Sequence, residues 1–311
     1  MLTLRHIGDI QVFGKWALCA RQVGDEIWVG SMAGQIAAFD MGLQERRRWQ
    51  AHDGSVNGIL SDGTTYGGDG CVKDRAGTVL AGPFKKPVSK VQRHGDGLYI
   101  GTYERALYRN SKKQPKIAAW HVLGSGDLCL VRQIGTRAGD LGPIELKGQE
   151  IAPSAWTLSA GPASAGPASS GSTPDTFFAY FTDGRFGEVT QQGQITFLPW
   201  QDTQGPPCVV HGESLQGQVQ PEAQRKAQGE FQDEAQSDVH GQDQSKTQKK
   251  PQSQTLCFFI GNHKVLAIRD REIAGELTLK TKGLYGSTLL PDGRLLIAAA
   301  DGNLKVIEIA A

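Results

Sequence analysis

The stretch PDGRLLIAAADGNLKVIEI, residues 291–309, carries two Asp-Gly pairs, each followed by a short apolar run. Asp-Gly between apolar runs marks a tight turn, because such turns need positive φ at positions that glycine fills without strain. After Asp301-Gly302, Leu304, Val306 and Ile309 are apolar while Asn303, Lys305 and Glu308 are polar, close to the alternation of a half-buried strand. The segment therefore reads turn, strand, turn, strand. A lone hairpin is only marginally stable in water, so this one belongs to a larger sheet assembly.

The same pattern recurs along the chain. Hairpin-like stretches occur at 24–40, 61–77, 95–110, 124–140, 175–190 and 255–270, which makes seven with the C-terminal copy. Their first apolar strands begin near Ile27, Thr64, Leu98, Leu128, Phe177, Leu256 and Leu295, and four of the six intervals fall between 30 and 39 residues. That is the period of a four-stranded propeller blade. Flanking strand candidates complete the units: QERRRW (44–49) and SVNGIL (55–60) after the first, GELTLKT (275–281) and GLYGSTLL (283–290) after the sixth. Glycine, 40 of 311 residues, favours many tight turns over long helices. The expectation is an all-β, seven-bladed β-propeller forming a single domain over 1–311, with a six- or eight-bladed or quinoprotein-like ring as alternatives because the fourth and fifth units carry fewer markers. The chain ends on the third strand of its last blade. LTLRHI (2–7) is accordingly expected to supply the outer strand and close the ring, which leaves no long unpaired edge.

WQAHDGSVNGILSDGTTYGGDGCVKD (49–74) and GSTLLPDGRLLIAAADGNLKVIEI (286–309) resemble degenerate blades of WD-repeat propellers. His52 falls at the family's Gly-His histidine, and Asp69 and Asp301 fall on its turn aspartate. The signature tryptophan is replaced by Arg75, Ile307, Val189 and Phe39 at the aligned places. The resemblance implies a scaffold that recognises a protein partner.

Two segments break the period. AGPASAGPAS (160–169) repeats a five-residue unit, and from Gln216 glutamine recurs at every fourth position up to 252, with His240 the only exception. Residues 212–254 hold five basic and seven acidic residues and almost no aliphatics. Such a composition buries too little apolar surface to offset the entropy of ordering. Both 160–174 and 212–254 are therefore expected to be disordered loop insertions. In the strand scheme they project from one face of the ring, which points to the opposite face as the partner-binding one.

Charge and composition narrow the function. Lys plus Arg is 33 against 32 for Asp plus Glu, so no overall field draws the molecule to nucleic acid or to an anionic membrane, and neither is expected as a partner. The N-terminus has no basic-then-apolar signal pattern. The five cysteines form no ligand spacing and sit mostly in apolar runs, as free thiols in a reducing compartment would, so a cytoplasmic, monomeric protein is expected. None of the seven histidines lies in a metal-binding spacing, and there is no Gly-x-Ser-x-Gly elbow or phosphate loop. The turn aspartates Asp69, Asp183 and Asp301 do not form an EF-hand loop. With no nucleophile, base and orienting group assembled, neither catalysis nor a cofactor is expected. The rival is a small-molecule or catalytic site at the central channel.

Candidate partner-binding residues are those whose chemistry suits an interface. Arg47 and Trp49 combine a guanidinium with an aromatic on a predicted outer strand, and Lys85 and Lys86 add positive charge. His263 lies on a turn that can face the ring opening. His52 completes the set, although a structural hydrogen bond within its own blade also accounts for it.

Overall fold

The computed structural model describes residues 1–94, 97–103, 106–125, 127–133, 141–146, 148–160, 176–200, 208–211, 256–281 and 283–310. Strands are named in chain order. The first, β1 (Thr3–Gln11), precedes a sheet of β2 (Ala17–Val23), β3 (Glu26–Ser31), β4 (Gln35–Phe39) and β5 (Glu45–Gln50). The next sheet holds β6 (Val56–Ile59), β7 (Thr65–Gly67), β8 (Val72–Lys73) and β9 (Val79–Ala81). A longer one follows: β10 (Val88–His94), β11 (Gly97–Thr102), β12 (Ala106–Arg109), β13 (Lys112–Ser125), β14 (Asp127–Gln133), β15 (Leu141–Leu146) and β16 (Gln149–Ala152). Then come β17 (Ala155–Ala160), β18 (Thr176–Phe181), β19 (Phe186–Thr190) and β20 (Ile195–Phe197), and after them β21 (Cys208–His211), β22 (Leu256–Ile260), β23 (Lys264–Arg269) and β24 (Glu272–Thr278). The last three strands are β25 (Leu284–Leu289), β26 (Leu295–Ala299) and β27 (Asn303–Ala310).

Every sheet is antiparallel, and tight turns join many of the consecutive strands, as between β3 and β4 or β26 and β27. In the final sheet the order is β1-β27-β26-β25, with β1 paired to β27 from Thr3↔Ala310 to Gln11↔Asn303. The turn glycines explain the sequence pattern. Gly70 and Gly302 have φ of 75° and 83°, and a Cβ at either would collide with a neighbouring carbonyl oxygen, that of Phe84 or of Phe13.

The described strands form six sheets, which corrects the expectation of seven blades. The third sheet has seven strands because β13 is one continuous 14-residue strand. Its first part pairs with β12 (Arg109↔Lys112 to Ala106↔Ala118) and its second with β14 (Ala119↔Arg132 to Ser125↔Asp127). Between Lys112 and Trp120 the sequence KKQPKIAAW offers no glycine at which the backbone could fold back, so one strand serves two hairpins. The low-complexity stretches 160–174 and 212–254 lie outside the described residues, apart from Ala160 at the end of β17.

Burial follows the alternation. Clusters of apolar side chains fill the space between successive sheets: Trp28 and Ile36 meet Val56 of the next sheet, Tyr66 meets Val91 and Ile100, and Phe178 meets Phe259. Ile27 and Val29 face Leu296 and Leu304, which brings the last sheet against the first. The succession of sheets thus returns on itself, as a propeller requires.

Candidate functional site

On β5, Arg47 and Trp49 project from the same side of the strand, two residues apart. Trp49 packs edge-to-face on Trp28 of β3, with ring centroids 4.9 Å apart. The Arg47 guanidinium lies over both rings, 4.9 Å from Trp49 and 5.7 Å from Trp28. Arg75, from the β8–β9 turn of the neighbouring sheet, also lies 5.7 Å from Trp28. At the centre is Glu26, whose Oε2 accepts from Trp28 Nε1 at 3.0 Å, from Arg47 at 2.9 Å and from Arg75 at 3.4 Å. Partial burial would raise the Glu26 carboxyl, but the hydrogen bonds from Trp28 and Arg47 prevail and hold it below the usual range, so it stays ionised.

These side chains form one wall of a cleft of about 460 Å³ at the outer rim, between β5 and the β8–β9 hairpin. The neighbouring charges are largely spent on local structure. Arg48 forks onto Glu45 at 2.7 and 2.9 Å, Lys73 donates to the Ala51 carbonyl at 2.7 Å, and Asp74 accepts from the amides of Ala76 and Thr78. Sequence reasoning found Arg47 and Trp49 but missed Trp28, Glu26 and Arg75. The signal was present at Arg75, which stands where the repeat would carry its tryptophan, but only the neighbouring sheet shows that it stacks on an indole.

The other candidates are dispersed. His52 lies in the interior, its side chain wholly buried, with Nδ1 donating to Asp69 at 2.9 Å and Nε2 accepting from the Thr65 hydroxyl, also at 2.9 Å. Burial pushes its pKa down and outweighs the opposing pull of Asp69, so the neutral tautomer is the stable one. This Asp–His–hydroxyl row has the order of a nucleophilic triad, and Thr65, its hydroxyl member, is only 4% exposed. What the row does is tie the loop before β6 to the β7–β8 turn. Lys85 and Lys86 are exposed on the loop between β9 and β10, beside Phe84, which packs on Tyr108. His263 sits on the β22–β23 turn of another sheet, its Nδ1 buried without a partner. The structure thus unites Arg47 with Trp49 and leaves the remaining candidates on separate elements.

The innermost strands β2, β21 and β25 border a second cavity of about 470 Å³, lined by Arg21, Gln22, Val209, Val210 and Thr288. A third cleft, of about 530 Å³, lies at the rim between β20 and β24 and is lined by Phe197, Leu198, Arg271 and Ile273. No group of three His, Cys, Asp or Glu side chains among the described residues is placed to hold a metal ion. Among them, too, no helix is long and apolar enough to cross a membrane.

No protein-family model matches the chain, and no curated protein matches it by sequence. Solved structures do match in shape. The WD40 β-propeller domain of Doa1 aligns with a TM-score of 0.63 at 8% identity, covering 98% of this chain and 96% of that one. The β-propeller domain of Cps50 (Swd1) from Myceliophteria thermophila aligns at 0.60 and 11% identity, covering 98% and 99%. The computationally designed protein Ika8 aligns at 0.57 and 10% identity, covering 97% and 99%. At such identities it is the architecture that is shared, and the chain has the β-propeller fold found in WD40 domains.

Proposed function

We propose that this chain is a non-catalytic protein-interaction scaffold, a single propeller spanning 1–311, and that it engages its partner at the rim cleft around Trp28, Arg47 and Trp49. The observation that carries the reading is the stacked Arg–Trp cluster. Tryptophan and arginine dominate interface hot spots, and here they are held on strands of a packed sheet, so little conformational entropy is lost on binding. The similarity to WD40 domains supports the same class of function. The channel cavity supports the catalytic rival less well, since its lining presents no nucleophile paired with a base. Cys19, Cys71, Cys208 and Cys257 are free, and burial pushes the Cys19 thiol up to about 12, in keeping with structural thiols of a cytoplasmic protein.

The test is cross-linking and capture of the tagged full-length chain from the cells that make it, beside a Trp49→Ala variant with an unchanged melting profile. A set of proteins captured by the wild type and lost with the variant supports the reading. Identical capture by both removes the cleft from it.

A further inference from the structure

We infer that the rim cleft receives a carboxylate-bearing side chain from an extended acidic segment of the partner protein, a step that rests on the interaction reading above. Two guanidiniums, Arg47 and Arg75, converge on a single oxygen of Glu26, and that oxygen already accepts the Trp28 indole N–H. Glu26 is 19% exposed, whereas Arg47 and Arg75 are each 52% exposed, so the buried side of the pair is satisfied and the open side is not. One positive charge is left over in this group. Around it, Arg48 is matched by Glu45, Lys73 is 3.4 Å from Asp69, and the Asp74 carboxylate, which also lines the cleft, accepts the amides of its own turn and keeps its negative charge.

The two guanidiniums are also pre-positioned. Each lies over an indole ring, 4.9 to 5.7 Å from its centroid, and lines the cleft, where a carboxylate can accept two guanidinium N–H donors. The backbone adds a second element of recognition. Among the described residues β5 is the last strand of its sheet, paired to β4 on one side only, and Arg48, Trp49 and Gln50 line the cleft. An extended peptide can lie along such an edge with alternate side chains entering the pocket. A volume of about 460 Å³ suits a few residues of chain. A nucleic acid is a poorer fit, because its affinity comes from neutralising many phosphates and only one charge is free here.

The probe is a fluorescein-labelled peptide of about ten residues alternating glutamate with serine, measured by fluorescence anisotropy in low salt against the full chain. Its glutamine-for-glutamate counterpart and an oligo-dT of similar length serve as competitors. The expected results are binding that weakens with added salt, a loss of about tenfold or more with the glutamine peptide, and a similar loss in the Arg47→Gln, Arg75→Gln double variant. Glu26→Gln, which frees both guanidiniums, is expected to strengthen binding several-fold, a change that damage to the fold would not produce. Equal affinity for the two peptides, an unchanged or lower affinity in Glu26→Gln, or tighter binding of the oligonucleotide each overturns the inference. Cellular capture that still depends on Trp49 while the acidic peptide fails would sink the acidic segment and leave the scaffold standing. Capture indifferent to Trp49 would sink the cleft as well.

Discussion

Two turns in this molecule are spelled alike and held differently. Asp69-Gly-Cys-Val-Lys73 and Asp301-Gly-Asn-Leu-Lys305 both read Asp-Gly-x-x-Lys, with a buried apolar residue before the lysine. At the first, the aspartate is held by His52 from the preceding loop, while Lys73 donates to the Ala51 carbonyl. At the second there is no histidine. Lys305 itself bonds Asp301 at 2.6 Å and Asp9 at 2.9 Å, and Thr281 adds a bond to Asp301 at 3.2 Å. The cause is the residue opposite the lysine on the outer strand. Lys73 faces Val79, whereas Lys305 faces Asp9 of β1. A carboxylate across the ladder lets the second lysine go dry, with its side chain 3% exposed against 19% for Lys73. The same local sequence thus takes its charge partner from wherever the neighbouring strand provides one.

The most severe way to break this contrast is to remove residues 1–8. Leu2 and Leu4 are buried in the cluster with Phe258, Leu295 and Ile307, and Asp9 would lose the strand that positions it. Two leucines withdrawn from a core cost about 5 kcal/mol, or roughly 10 °C in Tm for a chain of this size. The exposed edge of β27 is also expected to promote association. Calorimetry and light scattering read both effects. A truncated chain that melts like the intact one and stays monomeric would show that β1 contributes little.

Next in size is Lys305→Met. It leaves Asp9 and Asp301 facing each other without the ammonium between them, with His6 the remaining side-chain partner of Asp9 at 2.7 Å. Because both carboxylates keep more than a third of their side-chain exposure, the cost falls toward the lower end of that for breaking a buried pair, about 2–3 kcal/mol by denaturant unfolding. A loss below about 0.5 kcal/mol, the scale of a surface pair, would mean that solvent already screens the site.

The third prediction separates the turns by pH. Asp69, Lys73 and Asp53 are the charged groups that bear on His52, and burial still pushes its pKa below the ordinary 6.5. Between pH 6.5 and that lower folded value the unfolded chain binds a proton that the folded chain refuses. Stability therefore falls as the pH drops below about 6.5, by at most about 1.4 kcal/mol per pH unit. The Asp301 turn behaves otherwise. Burial would raise Asp301 and lower Lys305, but their mutual hydrogen bonds win, holding the carboxyl down and the ammonium up. Its stabilisation is lost only below the ordinary aspartate value near 3.8 in acid, or above the ordinary lysine value near 10.5 in base. His52→Asn keeps a donor for Asp69 and does not titrate, so it is expected to flatten the stability profile between pH 5 and 7. A profile unchanged by that substitution would place the acid sensitivity elsewhere.

The smallest effect is expected for Lys73→Met, at about 0.5 kcal/mol or less, since His52 already satisfies Asp69 and the lysine is partly solvated. A cost equal to that of Lys305→Met would erase the distinction between the two turns.

What could be read from the residues was local. Asp-Gly pairs and alternating apolar residues place turns and strands, since both signals act within a few residues, and Ile27, Leu98, Leu256 and Leu295 each lie within two residues of a strand start. Trp49 beside Arg47 was visible as interface chemistry for the same reason. The extent of β13 was not legible, because whether a strand continues depends on which neighbours pair along both its edges. Nor was the dry setting of Lys305, whose partner Asp9 lies 296 positions away in the chain.

The sequence by itself determined that this protein folds as a succession of short antiparallel strands with glycine-bearing turns. Only the tertiary structure decided how many sheets those strands make, that His52 is sealed inside a turn, and that Arg75 crosses to Trp28 to share Glu26. The physical reason is range: φ preferences and side-chain alternation are set by adjacent residues, whereas charge pairing, stacking and burial are set by whichever strand packs alongside.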